Sequence, residues 1–181
     1  MKTMNPKQND SDRVAFLLSQ LGARAAQEFT RLLTPLDLAP ADAGILRLVA
    51  RSEGISQQAL AAALNMHASR LVALIDDLES RGLLVRKVHA TDRRLYSLAL
   101  TAKGKETLLS IREVADEHNR LMCAALTKAE TVTLQALLSK IADQMGLAAG
   151  VHPGYQSMSG KPSSTRRPAR SPLESKILKS K

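Results

Sequence analysis

Residues 56–100 read SQQALAAALNMHASRLVALIDDLESRGLLVRKVHATDRRLYSLAL. Ser56 opens the stretch as an N-cap residue, its hydroxyl able to accept a free amide of the first helical turn. Gln57 to Leu64 is a short helical run of Ala and Leu, which Asn65-Met66 ends in a tight turn. A longer helix is expected from about His67 to Arg81, with Leu71, Leu74, Ile75 and Leu78 recurring on one face. Gly82 follows at the position that favours a left-handed residue. Leu84–Val88 and Leu95–Leu100 then alternate with the two-residue period of strands packed on one face. The polar residues His89 to Arg94 join them, which makes a hairpin with a charged tip.

On either side of this stretch the period is helical. Val14, Leu18, Leu21, Ala25, Phe29 and Leu32 mark a helix over residues 13–34 that Pro35 closes. A second starts after Pro40, presents Ile45, Leu46, Val49 and Ala50, and ends at Glu53-Gly54. Thr101 begins a long helix with Leu108, Ile111, Ala115, His118 and Met122 on one face. Thr127 and Glu130 have the spacing of a capping box, and the helix behind them carries Leu134, Leu137, Leu138, Ile141 and Met145. The fold class is therefore mainly α with a small β-hairpin. Its parts are residues 1–38, 39–101, 102–147 and a tail of residues 148–181.

Composition bounds the function. The chain has 181 residues, enough for one domain with a real core. Its 44% hydrophobic content excludes disorder throughout, and 2% aromatics without Trp exclude a binder that stacks bases on exposed rings. Cys123 is the only cysteine, so neither a disulfide framework nor a thiolate zinc cluster forms within one chain. The polar start, Met1 to Asp12, carries no secretory signal, and no apolar run reaches the roughly 18 residues of a membrane span, so a cytoplasmic protein without a membrane partner is expected.

The formal charge of +9 points to a polyanion. It is unevenly spread. Residues 148–181 hold seven Lys and Arg against Glu174 alone, a net +6, among four prolines and seven serines, and residues 1–147 keep only +3. The tail reads as disordered and basic, suited to adding affinity for phosphates whatever the base sequence.

A short helix, a tight turn, a longer helix and a hairpin form a winged helix-turn-helix. The second helix of such a pair enters the major groove of double-stranded DNA with its N-terminal residues against base edges, and the hairpin reaches the minor groove. Here that helix starts with His67, Ser69 and Arg70, the last suited to a bidentate contact with guanine. Ser56 and Gln57 stand at the start of the preceding helix. Arg86 and Lys87 in the first strand are expected to contact phosphates. At the tip, Asp92 is placed to restrain Arg94, with Arg93 between them. No nucleophile–base set or Gly-rich phosphate loop accompanies these residues, and neither an enzyme, a cofactor nor a metal site is expected. Asp76 and Asp77 are adjacent on a helix and point different ways, as do Glu117 and His118. The alternative to a sequence-specific regulator is an architectural DNA-binding protein driven by the basic tail.

Residues 39–101 resemble the DNA-binding domain of the MarR family of multiple-antibiotic-resistance regulators. The matching residues are Gln58-Ala59-Leu60-Ala61, Leu78-Glu79-x-Arg81-Gly82-Leu83, Arg86, Asp92-Arg93-Arg94, Leu100-Thr101-x-Lys103-Gly104 and the later Leu126-Thr127-x-x-Glu130. The resemblance extends over roughly residues 12–146. It implies a homodimer built on the first and last two helices, a repressor or activator that binds a pseudo-palindromic operator, with a ligand-responsive repressor the expected form. It also implies Arg94 as the minor-groove residue, and a small phenolic or acidic effector in the cleft between the winged domain and the dimer base. Val72 and Ala73 depart from the Thr with Arg or Gly often found there, which shifts base readout onto His67, Ser69 and Arg70. Cys123, among Leu121, Met122, Ala124 and Ala125, is expected to be a buried, inert thiol.

Overall fold

A computed structural model of the chain describes residues 13–88 and 96–152. In chain order it has α1 (Val14–Leu33), a single 3-10 turn (Thr34–Leu36), α2 (Pro40–Arg51), α3 (Gln57–Ala63), α4 (Ala68–Ser80), β1 (Leu84–Val88), β2 (Tyr96–Leu100), α5 (Ala102–Met122) and α6 (Lys128–Gln144). The helices and the hairpin lie where the apolar periods put them, with ends shifted by a residue or two.

Local chemistry sets the boundaries. Ser56, Thr101 and Thr127 each accept the amide three residues on, from Ala59, Gly104 and Glu130. The Glu130 carboxylate accepts the Thr127 amide and hydroxyl in return, and those two hydrogen bonds hold its pKa below the usual carboxylate range. α4 closes with the Gly82 amide on the Glu79 carbonyl and the Leu83 amide on the Leu78 carbonyl, with Gly82 at φ +70°. Asn65, at φ 48°, closes α3 in the same way, because its short side chain tolerates a left-handed backbone. The sequence alone did not reveal that Asp42, 4% exposed, accepts the Ala39 amide at 2.8 Å and so caps α2.

The core fills the space between α2, α3, α4 and the hairpin. Ile45, Leu46, Leu60, Ile75, Leu78 and Leu98 are fully buried, and Leu33 joins them from the end of α1. β1 and β2 pair antiparallel with Leu84 opposite Leu100 and Arg86 opposite Leu98. A third segment extends this ladder: the Leu98 amide donates to the Ile55 carbonyl at 2.9 Å, and Ser56 bridges Ser97. The wing is thus tied to the residues just before α3.

α1 and α5 pack along each other, with the Phe29 and His118 rings 5.4 Å apart and His118 Nε2 3.0 Å from the Ala25 carbonyl. α6 has no buried residue. Its Leu134, Leu137, Leu138, Ile141 and Met145 are exposed along one face, as are Val14, Phe16, Leu17 and Leu21 of α1. The chain turns back after α6 through Gly146 and Gly150, both at positive φ, and packs Val151 against the core. Residues 148–152 therefore depart from the disordered tail that composition suggests; residues 153–181 lie outside the described residues. Cys123 departs as well. It is half-buried at the C-terminal cap of α5, with Sγ 4.0 Å from Asn119 Oδ1.

α5 begins hard against the turn that follows α4. The Thr101 amide donates to the Leu83 carbonyl at 3.2 Å, its hydroxyl to the Gly82 carbonyl at 2.6 Å, and Lys103 Nζ to the Arg81 carbonyl at 2.9 Å. A Cβ on Gly104 would lie 2.0 Å from the Leu83 oxygen, a backbone atom with nowhere to retreat. We expect Gly104→Ala to lower unfolding free energy by about 1–3 kcal/mol, the usual cost of overpacking. Denaturant unfolding measures this, and a wild-type midpoint would exclude the close approach.

Candidate nucleic-acid interface

α4 is held by one face and open on the other. Leu71, Ile75 and Leu78 are buried, whereas Ser69, Val72, Ala73 and Asp76 are exposed, Val72 to 41%. His67 is exposed as the N-cap residue and Arg70 is half-buried in the first turn. His67 and Ser69 therefore stand at the open end of the helix, where the sequence puts the base-reading residues. Ser56 spends its hydroxyl on the Ala59 amide at 3.1 Å. Gln57 is half-buried, and its Nε2 is out of solvent without a hydrogen-bond partner among the described residues.

The wing gives Arg86 partners that the sequence does not announce. Two residues from Leu84 on the strand, it lies on the same inward face, with the side chain only 20% exposed. A cation there needs acids. Its guanidinium pairs with Asp76 and Glu79 of α4, and its amide donates to Glu79 Oε1 at 3.0 Å. Burial works against its charge, but the two carboxylates outweigh burial and raise its pKa above the ordinary arginine value. Arg86 thus fastens wing to helix. Lys87, on the opposite face, is exposed. Asp92, Arg93 and Arg94 lie outside the described residues.

Asp76 and Asp77 diverge as helix geometry requires. Asp77 pairs with Arg81 at 3.3 Å, and Arg81 also donates to the Asp37 carbonyl at 2.6 Å, tying the end of α4 to the turn before α2.

A sequence model of the MarR family matches residues 36–95, which span the helix pair and the first strand of the hairpin. A transcriptional regulatory protein for the hcr operon of Thauera aromatica is 35% identical over 118 residues, 65% of this chain and 71% of that protein. The chain belongs to the MarR family. Among solved structures, the transcriptional repressor CouR bound to a 23-mer DNA duplex is 30% identical, with TM-score 0.66 over 77% of this chain and 99% of that one. CouR from Rhodococcus jostii RHA1 bound to p-coumaroyl-CoA is 28% identical, with TM-score 0.62 over 75% and 96%.

This MarR-family chain has two adjoining cavities in the angle of α1, α2 and α5. The larger, about 430 Å³, is lined by Ala25, Phe29, Arg47, Ala115 and His118, and Gly150–His152 close one side. The smaller, about 290 Å³, shares Phe29, Arg47 and Ala115 and adds Arg51, Arg112 and Asp116. Glu117 and His118 part company: Glu117 pairs with Arg120 and His118 meets α1. Among the described residues no three potential metal ligands converge, and no helix is long and apolar enough to cross a membrane.

Arg86→Gln is expected to cost about 1–3 kcal/mol of stability, the price of two carboxylates left without their charged partner. It should also weaken DNA binding without changing the slope of log K against log salt. Loss of a phosphate contact lowers that slope by about 0.9. Titrations at several salt concentrations separate the two, and a lowered slope would return Arg86 to the DNA backbone.

Proposed function

We propose that the chain is a homodimeric repressor that reads a pseudo-palindromic operator in double-stranded DNA and lets go of it when an effector binds. The observation that carries this reading is α4 itself. It is buried along Leu71, Ile75 and Leu78, open along Ser69, Val72 and Ala73, and braced by Arg86 against the wing. A helix held this way is a rigid reader for a major groove. The structure of CouR with a DNA duplex supports the same partner here.

In this reading His67, Ser69 and Arg70 meet base edges and nearby phosphates. Ser56, Gln57, Lys87 and Arg93 serve the backbone, and Arg94, restrained by Asp92, enters the minor groove. Arg86 acts through the position of the wing. The exposed apolar faces of α1 and α6 support a dimer, because contiguous exposed apolar surface marks interaction sites. Twofold symmetry then makes the operator a pair of half-sites. The cavities between α1, α2 and α5 suit a small aromatic or acidic effector: they offer a ring-lined apolar wall with one arginine shared between them. The protein works in the cytoplasm and needs no cofactor.

Selection from a random DNA pool should return an inverted repeat with half-site centres about one helical turn, roughly 10 base pairs, apart. Binding to it should exceed binding to random DNA by roughly 10³ or more at the same salt. Equal affinity for both would make the protein architectural. Arg94→Ala should weaken operator binding by more than about 1 kcal/mol, and an unchanged dissociation constant would remove Arg94 from the interface.

A further inference from the structure

We infer that Val72 reads a thymine methyl group, so that each half-site of the operator carries a T·A pair selected by apolar contact. This rests on the reading of α4 as the major-groove helix and adds to it the base that one exposed side chain selects.

α4 turns two kinds of surface outward. His67 and Ser69 stand at its start with groups that form hydrogen bonds, and Arg70 follows in the first turn. One turn after Ala68 on the same line comes Val72, 41% exposed although Leu71 before it is buried. Asp76, one turn further, has its charge met by Arg86, so an acid on this face does not hold the DNA away. Elsewhere between Pro40 and Leu100 the large apolar side chains of the described residues are buried or half-buried, apart from Val88 and Tyr96, paired across the hairpin. The winged domain thus hides its apolar side chains except on the helix and hairpin that meet DNA in this reading.

A valine in a helix keeps essentially one rotamer, so its two methyl groups have a fixed direction. It offers neither donor nor acceptor. Against the edge of guanine, adenine or cytosine it would strip water from polar groups and return no hydrogen bond. The C5 methyl of thymine is the apolar group on the major-groove edge, and burying it against Val72 is favourable. Ala68, Ser69 and Ala73, the exposed residues around Val72, are small enough to let it come that close. Twofold symmetry of the proposed dimer repeats the contact in both half-sites.

The test is competition binding on duplexes built on the sequence that the full chain selects from a random pool. Each thymine of a half-site is replaced in turn by deoxyuridine, which removes the methyl group and keeps the base pair. At one thymine this should weaken wild-type binding about fourfold, the worth of one buried methyl group, and about 15-fold when both half-sites are changed. Val72→Ser should bind the thymine and deoxyuridine duplexes alike at that position, keep any discrimination at the others, and melt like wild type. Val72→Ala, a stronger helix former, covers a serine variant that melts early, and should show a reduced discrimination there. Cytosine and 5-methylcytosine placed at that position should likewise be told apart by wild type and not by Val72→Ser. A selected half-site without thymine, deoxyuridine without effect at every thymine, or a loss that persists in both variants would each overturn the proposal and leave the sequence-specific reader standing. Recovery of no common sequence would overturn both, so the two failures are told apart.

Discussion

The Leu83 carbonyl is where the two halves of the molecule meet. It accepts the Thr101 amide and lies so close to Gly104 that no side chain fits between them. Leu83 closes α4, and Gly104 sits in the first turn of α5. The reading helix and the long helix that lines the cavities are thus joined by backbone on backbone, with Lys103 and Thr101 adding hydrogen bonds to the same turn. Packed groups of this kind do not deform gradually.

Much of this was legible in residues 56–100, because each boundary there is chemically marked. Ser56 and Thr101 cap, Asn65 and Gly82 turn left-handed, and the strand period gives β1 to the residue. What was not legible depends on who faces whom. The period put Arg86 on the same face as Leu84, yet a phosphate contact was the natural expectation for an arginine in a basic wing. Only the crossing of β1 over α4 brings Asp76 and Glu79 to it. Asp42 and the fold-back of residues 148–152 were hidden for the same reason, since neither leaves a periodic trace. The arginines of the smaller cavity are scattered in sequence at 47, 51 and 112 and converge only when α2 meets α5. For the wing tip, sequence and family resemblance remain the whole case.

The charge of the chain is better understood by pairing than by counting. Of the +9, +6 belongs to residues 148–181. Within the fold most arginines with carboxylate partners brace one element against another or stabilise a helix turn: Arg81 ties α4 to the turn before α2, Arg86 ties α4 to the wing, and Arg31 and Arg120 pair within their own helices. The last two are exposed pairs of small energetic worth. Such cations contribute nothing net to the field seen by a polyanion, because their acids travel with them. Attraction from the described residues then rests on a few side chains whose position matters more than their number.

α6 gives the same lesson for apolar surface. A helix with Leu134, Leu137, Leu138, Ile141 and Met145 on one face has no buried residue among the described residues. Its capping box fixes where it starts, and Gly146 fixes where it stops, so its ends are defined locally while its face is not. An isolated helix of 17 residues is marginal in water, because tertiary packing supplies most helical stability. The exposed leucines of α6 and of α1 are the surface on which the proposed dimer rests. The core among α2, α3, α4 and the hairpin, by contrast, is buried within the chain.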